Sequence, residues 1–226
     1  MNLGVLFSGG KDSCLALYEA MYQEHVSCLI SLCSKNKESY MFHTPNNSIL
    51  GLQAQALGLP LVKVETSGEK EAELGDLRSA LERAKQDHAI EGVVTGAVGS
   101  VYQATRIQKI CDELDLWCFN PLWQRDQVTL LHDVLDAGMQ VIIAGVFAEP
   151  FDESWLGEEI DEGMIGDLEE LQETHKINPA GEGGEMETTV LDAPFFKGRI
   201  EIERASSTYN EHAGTYDIEK ATLVKK

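Results

Sequence analysis

The chain has 226 residues, 43% of them hydrophobic, so it is long enough to bury a core as one large domain or two small ones. Its 38 acidic residues against 18 basic ones leave a net charge of −20. That charge repels phosphate backbones and no basic patch offsets it, which argues against a stable nucleic-acid partner. Five cysteines, at 14, 28, 33, 111 and 118, form no C-x-x-C and no zinc-type cluster, and they read as reduced core thiols of a cytoplasmic protein. No apolar run reaches membrane-spanning length and no signal peptide precedes the first apolar stretch, so a soluble protein without a membrane partner is expected.

Residues 3–7 are a short apolar run of the kind a buried parallel strand needs. From Cys14 the apolar positions Cys14, Leu17, Tyr18 and Met21 fall at helical spacing. The six residues between, Ser8-Gly9-Gly10-Lys11-Asp12-Ser13, must turn the chain sharply. Two glycines supply permissive backbone and bare N–H groups, and the helix that follows points its positive end into the turn. Lys11 adds a full charge, Ser8 and Ser13 add hydroxyls, and Asp12 suits a Mg²⁺ that travels with a polyphosphate. The adjacent glycines exclude a Walker A loop, which needs four residues between its own. A plain Gly-rich turn with a serine helix cap is the bland alternative.

The spacing continues with a strand at 26–33, a polar stretch at 34–47, a short helix at 49–57, a strand at 61–64 and a long charged helix at 69–89. The polar stretch holds His43, Thr44, Pro45 and Asn46, which either reach a ligand beyond the strand ends or form a simple turn. A fourth strand at 91–96 runs into the small-residue turn 97–100 and another helix, where Tyr102 and Arg106 share a face four residues apart. Arg106 is placed to meet a phosphate or carboxylate. A fifth strand at 117–119 ends at Asn120-Pro121. This alternation predicts a mostly parallel sheet with helices on both faces.

Beyond 121 the pattern predicts a helix at 126–137, a strand at 140–147, a helix at 167–174 delayed by Gly157, Gly163 and Gly166, and strands at 188–191, 199–203 and 215–224. Residues 149–173 hold eleven acids and no lysine or arginine, a solvated surface by default. Glu182-Gly183-Gly184-Glu185, with Glu187 close behind, sets carboxylates in a tight turn. Such acids bind a cation, take a proton, or merely form an acidic hairpin.

Ser8 to Ser13 resembles the PP-loop of ATP pyrophosphatases, which cleave ATP between its α and β phosphates. Together with Glu91-Gly-Val-Val-Thr-Gly-Ala-Val-Gly-Ser100, Asn120-Pro-Leu-Trp123 and Pro179-Ala-Gly-Glu-Gly-Gly-Glu185, it is similar to the diphthine–ammonia ligase family, in the family's order and across nearly the whole chain. The resemblance implies an α/β fold: a PP-loop, adenine nucleotide α-hydrolase-like, Rossmann-like parallel sheet over residues 1–122 and a second, smaller α/β domain over 123–226. It implies ATP-dependent amidation of diphthine on translation elongation factor 2 by ammonium, giving diphthamide, AMP and pyrophosphate through an acyl-adenylate, with ATP and Mg²⁺ required.

By the same resemblance Lys11, Asp12, Glu182 and Glu185 are the catalytic candidates and Asp12 the metal ligand. Ser8, Gly9, Gly10, Lys11, Asp12, Ser13, His43, Gly96, Tyr102 and Arg106 are expected around the nucleotide. Asn120, Trp123, Gly183, Gly184 and Glu187 are expected around the second substrate, where an aromatic such as Trp123 or Tyr102 suits a trimethylammonium group. A homodimer is left open. Two rivals stand beside this reading: a PP-loop tRNA-modifying enzyme using Cys111 and Cys118 as a reactive pair, and a nucleotide-binding sensor without catalysis.

Overall fold

The computed structural model describes residues 1–34, 46–67 and 72–226. They divide into two compact units. The first comprises the described residues of 1–8, 12–34, 58–67 and 72–123, and the second those of 9–11, 46–57 and 124–226.

Unit one is built on five parallel strands, β1 (Asn2–Leu6), β2 (His25–Ser34), β3 (Leu61–Thr66), β4 (Gly92–Val94) and β5 (Trp117–Phe119), in the order β3-β2-β1-β4-β5. The order reverses between β1 and β4, which follow opposite directions outward from the centre, and ligands of open α/β sheets bind beyond the strand ends at that reversal. Helix α1 begins at Lys11 rather than at Cys14 (Lys11–Gln23), so Lys11, Asp12 and Ser13 form its first turn. Apolar spacing could not mark that start because the first turn is polar. Helices α3 (Ala72–His88) and α4 (Val101–Glu113) cover one sheet face with Leu77, Ala80, Leu81, Ile107, Ile110 and Cys111 against Ile30, Val62 and Val93. Ser100 caps α4, its hydroxyl accepting from Gln103 N at 3.3 Å.

Unit two holds a four-stranded antiparallel sheet, β7-β6-β9-β8, from β6 (Gln140–Val146), β7 (Met186–Asp192), β8 (Gly198–Asn210) and β9 (Ala213–Lys225). Its helices are α2 (Leu50–Leu57), α5 (Gln127–Asp136) and α6 (Glu162–His175). Ile49 and Leu52 pack against Ile142, Leu191, Ile200 and Ile218, so the segment around α2 joins this core although strands of unit one flank it in sequence. Two expectations are corrected here. Helix α6 starts at Glu162, not 167, because Asp161 caps it through Met164 N at 2.8 Å. The strands at 199–203 and 215–224 lengthen into a thirteen-residue hairpin pair turned at Glu211, whose φ is 55°. Among the described residues no helix is long and apolar enough to cross a membrane.

Candidate active site

The phosphate loop is held at both ends. In unit one, Ser8 donates to Ser13 Oγ from its backbone N at 3.3 Å and from its hydroxyl at 3.2 Å, closing the loop onto the first turn of α1. Gly96, just after β4, lies directly under that turn: a Cβ there would stand 2.8 Å from Ser13 N and 2.9 Å from Asp12 C. Only glycine lets the helix start so low against the sheet, with its N–H groups and dipole aimed beyond the strand ends. Thr95 fastens the neighbouring strand end, donating to Asn120 Oδ1 at 2.5 Å and accepting from Ala97 N at 3.1 Å.

The middle of the loop, Gly9 to Lys11, packs with unit two. Gly9 adopts φ +81°, a left-handed conformation that glycine takes at no steric cost. Its carbonyl accepts from Val190 N at 3.0 Å and from Gln53 Nε2 at 2.9 Å, and Gln53 also donates to Val190 O at 2.8 Å. Gln53 is buried and clamps the loop to β7. Lys11 N donates to Thr188 Oγ1 at 3.1 Å, and the buried Lys11 ammonium donates to Ala180 O at 2.5 Å. Gln53, Thr188 and Ala180 were not singled out from sequence; a glutamine amid the apolar face of α2 is the signal that was present.

Ala180 opens the acidic turn. Its N donates to Gln127 Oε1 at 3.1 Å, while Gln127 Nε2 donates to Asn178 Oδ1 at 3.0 Å. Glu185 closes the turn on itself: Oε1 accepts from Asn178 N at 3.0 Å and Nδ2 at 2.6 Å, and Oε2 accepts from Gly183 N at 2.8 Å. With both oxygens so engaged, Glu185 holds the shape of the turn. Gly183 and Gly184 are exposed at its tip, Gly184 with φ +84°, and Glu182 is half-buried beside them. Glu187 lies on β7 opposite Gly145.

The other expected residues divide. Arg106 stacks on Tyr102, its Cζ 3.5 Å from the ring centroid, so the spacing of four does join them and one aromatic face is already taken by a cation. Trp123 is half-buried in a shallow groove with Asn120, Asp112 and Gln108. Asn120 is tied to Thr95 as above. His43 lies outside the described residues. Among the described residues no group of three or more His, Cys, Asp or Glu is gathered to hold a metal. A Mg²⁺ carried by phosphate oxygens needs only one or two protein carboxylates, and Asp12 in the first turn of α1 fits that limited demand.

Residues 1–117 match the diphthamide synthase N-terminal domain, and residues 126–224 match the diphthamide synthase C-terminal domain. The chain belongs to the diphthine–ammonia ligase family. The diphthine–ammonia ligase of Bos taurus is 33% identical over 90% of this chain and 83% of its own length, and that of Danio rerio is 34% identical over 90% and 87%. A solved structure described as a predicted subunit of tRNA methyltransferase from Methanocaldococcus jannaschii covers 86% of this chain and 98% of its own, at 16% identity and a TM-score of 0.44. The family match extends over both the stretch that carries the phosphate loop and the stretch that carries the acidic turn.

Proposed function

We propose that this ATP-dependent ligase carries out the last step of diphthamide formation, joining ammonium to the carboxylate of diphthine on translation elongation factor 2, in the cytoplasm. The observation that carries this reading is the match of both halves to the two diphthamide synthase domains, with a glycine-built phosphate loop at the start of α1. The same match favours it over a tRNA-modifying or sensor role.

A carboxylate oxygen is a poor leaving group until AMP is transferred to it, with pyrophosphate departing. Charge then builds on pyrophosphate, where the loop N–H groups, the Ser8 and Ser13 hydroxyls and the Lys11 ammonium serve as oriented donors. Lys11 is anchored by the Ala180 carbonyl, so its position is fixed before the reaction. Asp12 would hold Mg²⁺, which supplies further neutralisation of phosphate charge when bound. In the second half, ammonium gives up a proton, ammonia attacks the acyl carbon, and AMP leaves. Glu182 is assigned to the proton or to the cationic substrate group, and Glu185 to fixing the turn that presents it.

The test incubates the chain with ATP, Mg²⁺, ammonium and elongation factor 2 carrying diphthine. AMP, pyrophosphate and the acid-to-amide mass change in the factor are expected together. AMP formed only with a tRNA acceptor, or no AMP with any acceptor, would overturn the assignment.

A further inference from the structure

One of the five cysteines is unlike the rest. Cys14, Cys28 and Cys33 are buried in the core, and burial pushes the Cys28 thiol up to about 12. Cys118 is on β5, an edge strand, and is only half-buried between the exposed Trp117 and Phe119. It stands in register beside Val93, on the sheet face that α4 covers, where Cys111 of α4 is buried in the same cluster. Past the end of α4 the chain doubles back at once, Leu116 N donating to Cys111 O at 2.9 Å, and Cys118 packs against the cluster that holds Cys111.

The Cys118 thiol is held below its ordinary range by a hydrogen bond with Cys111, with Asn120 helping while burial and Asp112 oppose. Cys111 is raised by the same hydrogen bond and by burial. Asn120 Nδ2 donates to Cys118 Sγ at 3.9 Å. One half-exposed sulfur beside one buried sulfur is the arrangement of an attacking and a resolving cysteine.

We propose that Cys111 and Cys118 are a reversible disulfide site, closed by a hydroperoxide and reopened by a dithiol, and that closure withdraws Cys118 Sγ from Asn120. Cys118 thiolate attacks the peroxide oxygen, the O–O bond breaks, and the alkoxide or hydroxide leaves with a solvent proton, giving a Cys118 sulfenic acid. Cys111 sulfur then attacks Cys118 sulfur, the S–O bond breaks, and the hydroxide leaves as water with the Cys111 proton. Two thiols lose two electrons and the peroxide gains them. Because Asn120 also accepts from Thr95, the residue before Gly96, its displacement loosens the strand end on which the first turn of α1 rests.

The full chain is treated with hydrogen peroxide, alkylated after denaturation and digested with trypsin. Lys109 and Arg125 bound one tryptic peptide that contains both cysteines. That peptide is expected to lose two hydrogen atoms and escape alkylation, while Cys14, Cys28 and Cys33 remain alkylated; dithiothreitol restores it. Cys118→Ser leaves Cys111 reduced, and Cys111→Ser stalls Cys118 as a sulfenic acid that dimedone traps. Should the buried Cys111→Ser variant not fold, the Cys118→Ser arm decides. Sulfinic or sulfonic acid at Cys118 with Cys111 still alkylated, or pairing with another cysteine, overturns the site.

The Asn120 side-chain amide resonance is expected to shift on oxidation of the native chain and not of Cys118→Ser; an unmoved resonance overturns the withdrawal. AMP formation, which rests on the proposed function, is expected to fall about two- to thirtyfold on oxidation. An unchanged rate overturns the coupling to the loop, and the peptide mass reports on the disulfide whether or not that activity is found.

Discussion

Replacing Gly96 with alanine tests whether the phosphate loop is set by the strand end beneath it. The added Cβ would stand 2.8 Å from Ser13 N, 2.9 Å from Asp12 C and 3.0 Å from Asp12 O, whereas ordinary contact for such an atom begins at 3.4 Å. The first turn of α1 must therefore retreat by about 0.6 Å, against backbone rather than a movable side-chain tip. Overpacking of this kind costs about 1–3 kcal/mol, which lowers the melting temperature by roughly 2–12 °C in a protein of this size. A misplacement near 1 Å costs about a hundredfold in rate, so roughly tenfold is expected for AMP formation. The same change at Gly75, exposed in α3 with nothing in the way of a Cβ, should raise stability by about 0.5–1 kcal/mol. Melting curves and steady-state AMP release on the two variants give opposite signs if the reasoning holds. Native-like melting and turnover in Gly96→Ala would show that the loop is not seated as described.

Lys11→Met should keep the fold, since it fills the same buried space, yet lose about 10²–10³ in the rate of AMP formation in single-turnover assays. Glu182→Gln should stop amide formation while AMP is still formed, which product analysis in the same assay checks. Glu185→Ala should lower the melting temperature by removing the acceptor of three N–H groups, a cost of about 1–3 kcal/mol; an unchanged melting temperature would show that Glu185 does not hold the turn. Asp126 caps α5, and hydrogen bonds from Thr129 hold its carboxyl below the ordinary value of 3.8. A group depressed in the folded state stabilises above its unfolded pKa and loses that contribution as pH falls through its folded one. Stability should thus decline as pH drops below about 4, and Asp126→Ala should flatten that decline in acid unfolding curves.

Much of unit one was legible in the chain. The run before Ser8, the two glycines and the periodic stretch after Cys14 predict strand, loop and helix because each is local: burial of β1, the turn and the helical face are set by neighbours in sequence. The pairing of Tyr102 with Arg106 was legible for the same reason. The clamp by Gln53 was not. Its two carbonyl partners lie 44 and 137 residues away, a separation that leaves no trace in periodicity. The role of Glu185 was hidden for a different reason: composition shows three carboxylates in a glycine-rich turn, but only the backbone path decides which of them turns inward to meet N–H groups.

The sequence by itself determined that a phosphate loop opens a parallel α/β unit and that a glycine-rich acidic turn comes late in the chain, because short-range periodicity and backbone freedom are properties of contiguous residues. The tertiary structure alone decided that Gly9 to Lys11 pack with β7 and Ala180 rather than with the strand they follow, that Gly96 supports the first turn of α1, and that Cys118 packs against the cluster that holds Cys111. Those contacts are made between groups brought together only when each unit folds and buried polar atoms must find partners, and distance along the chain has no bearing on which partner lies within reach.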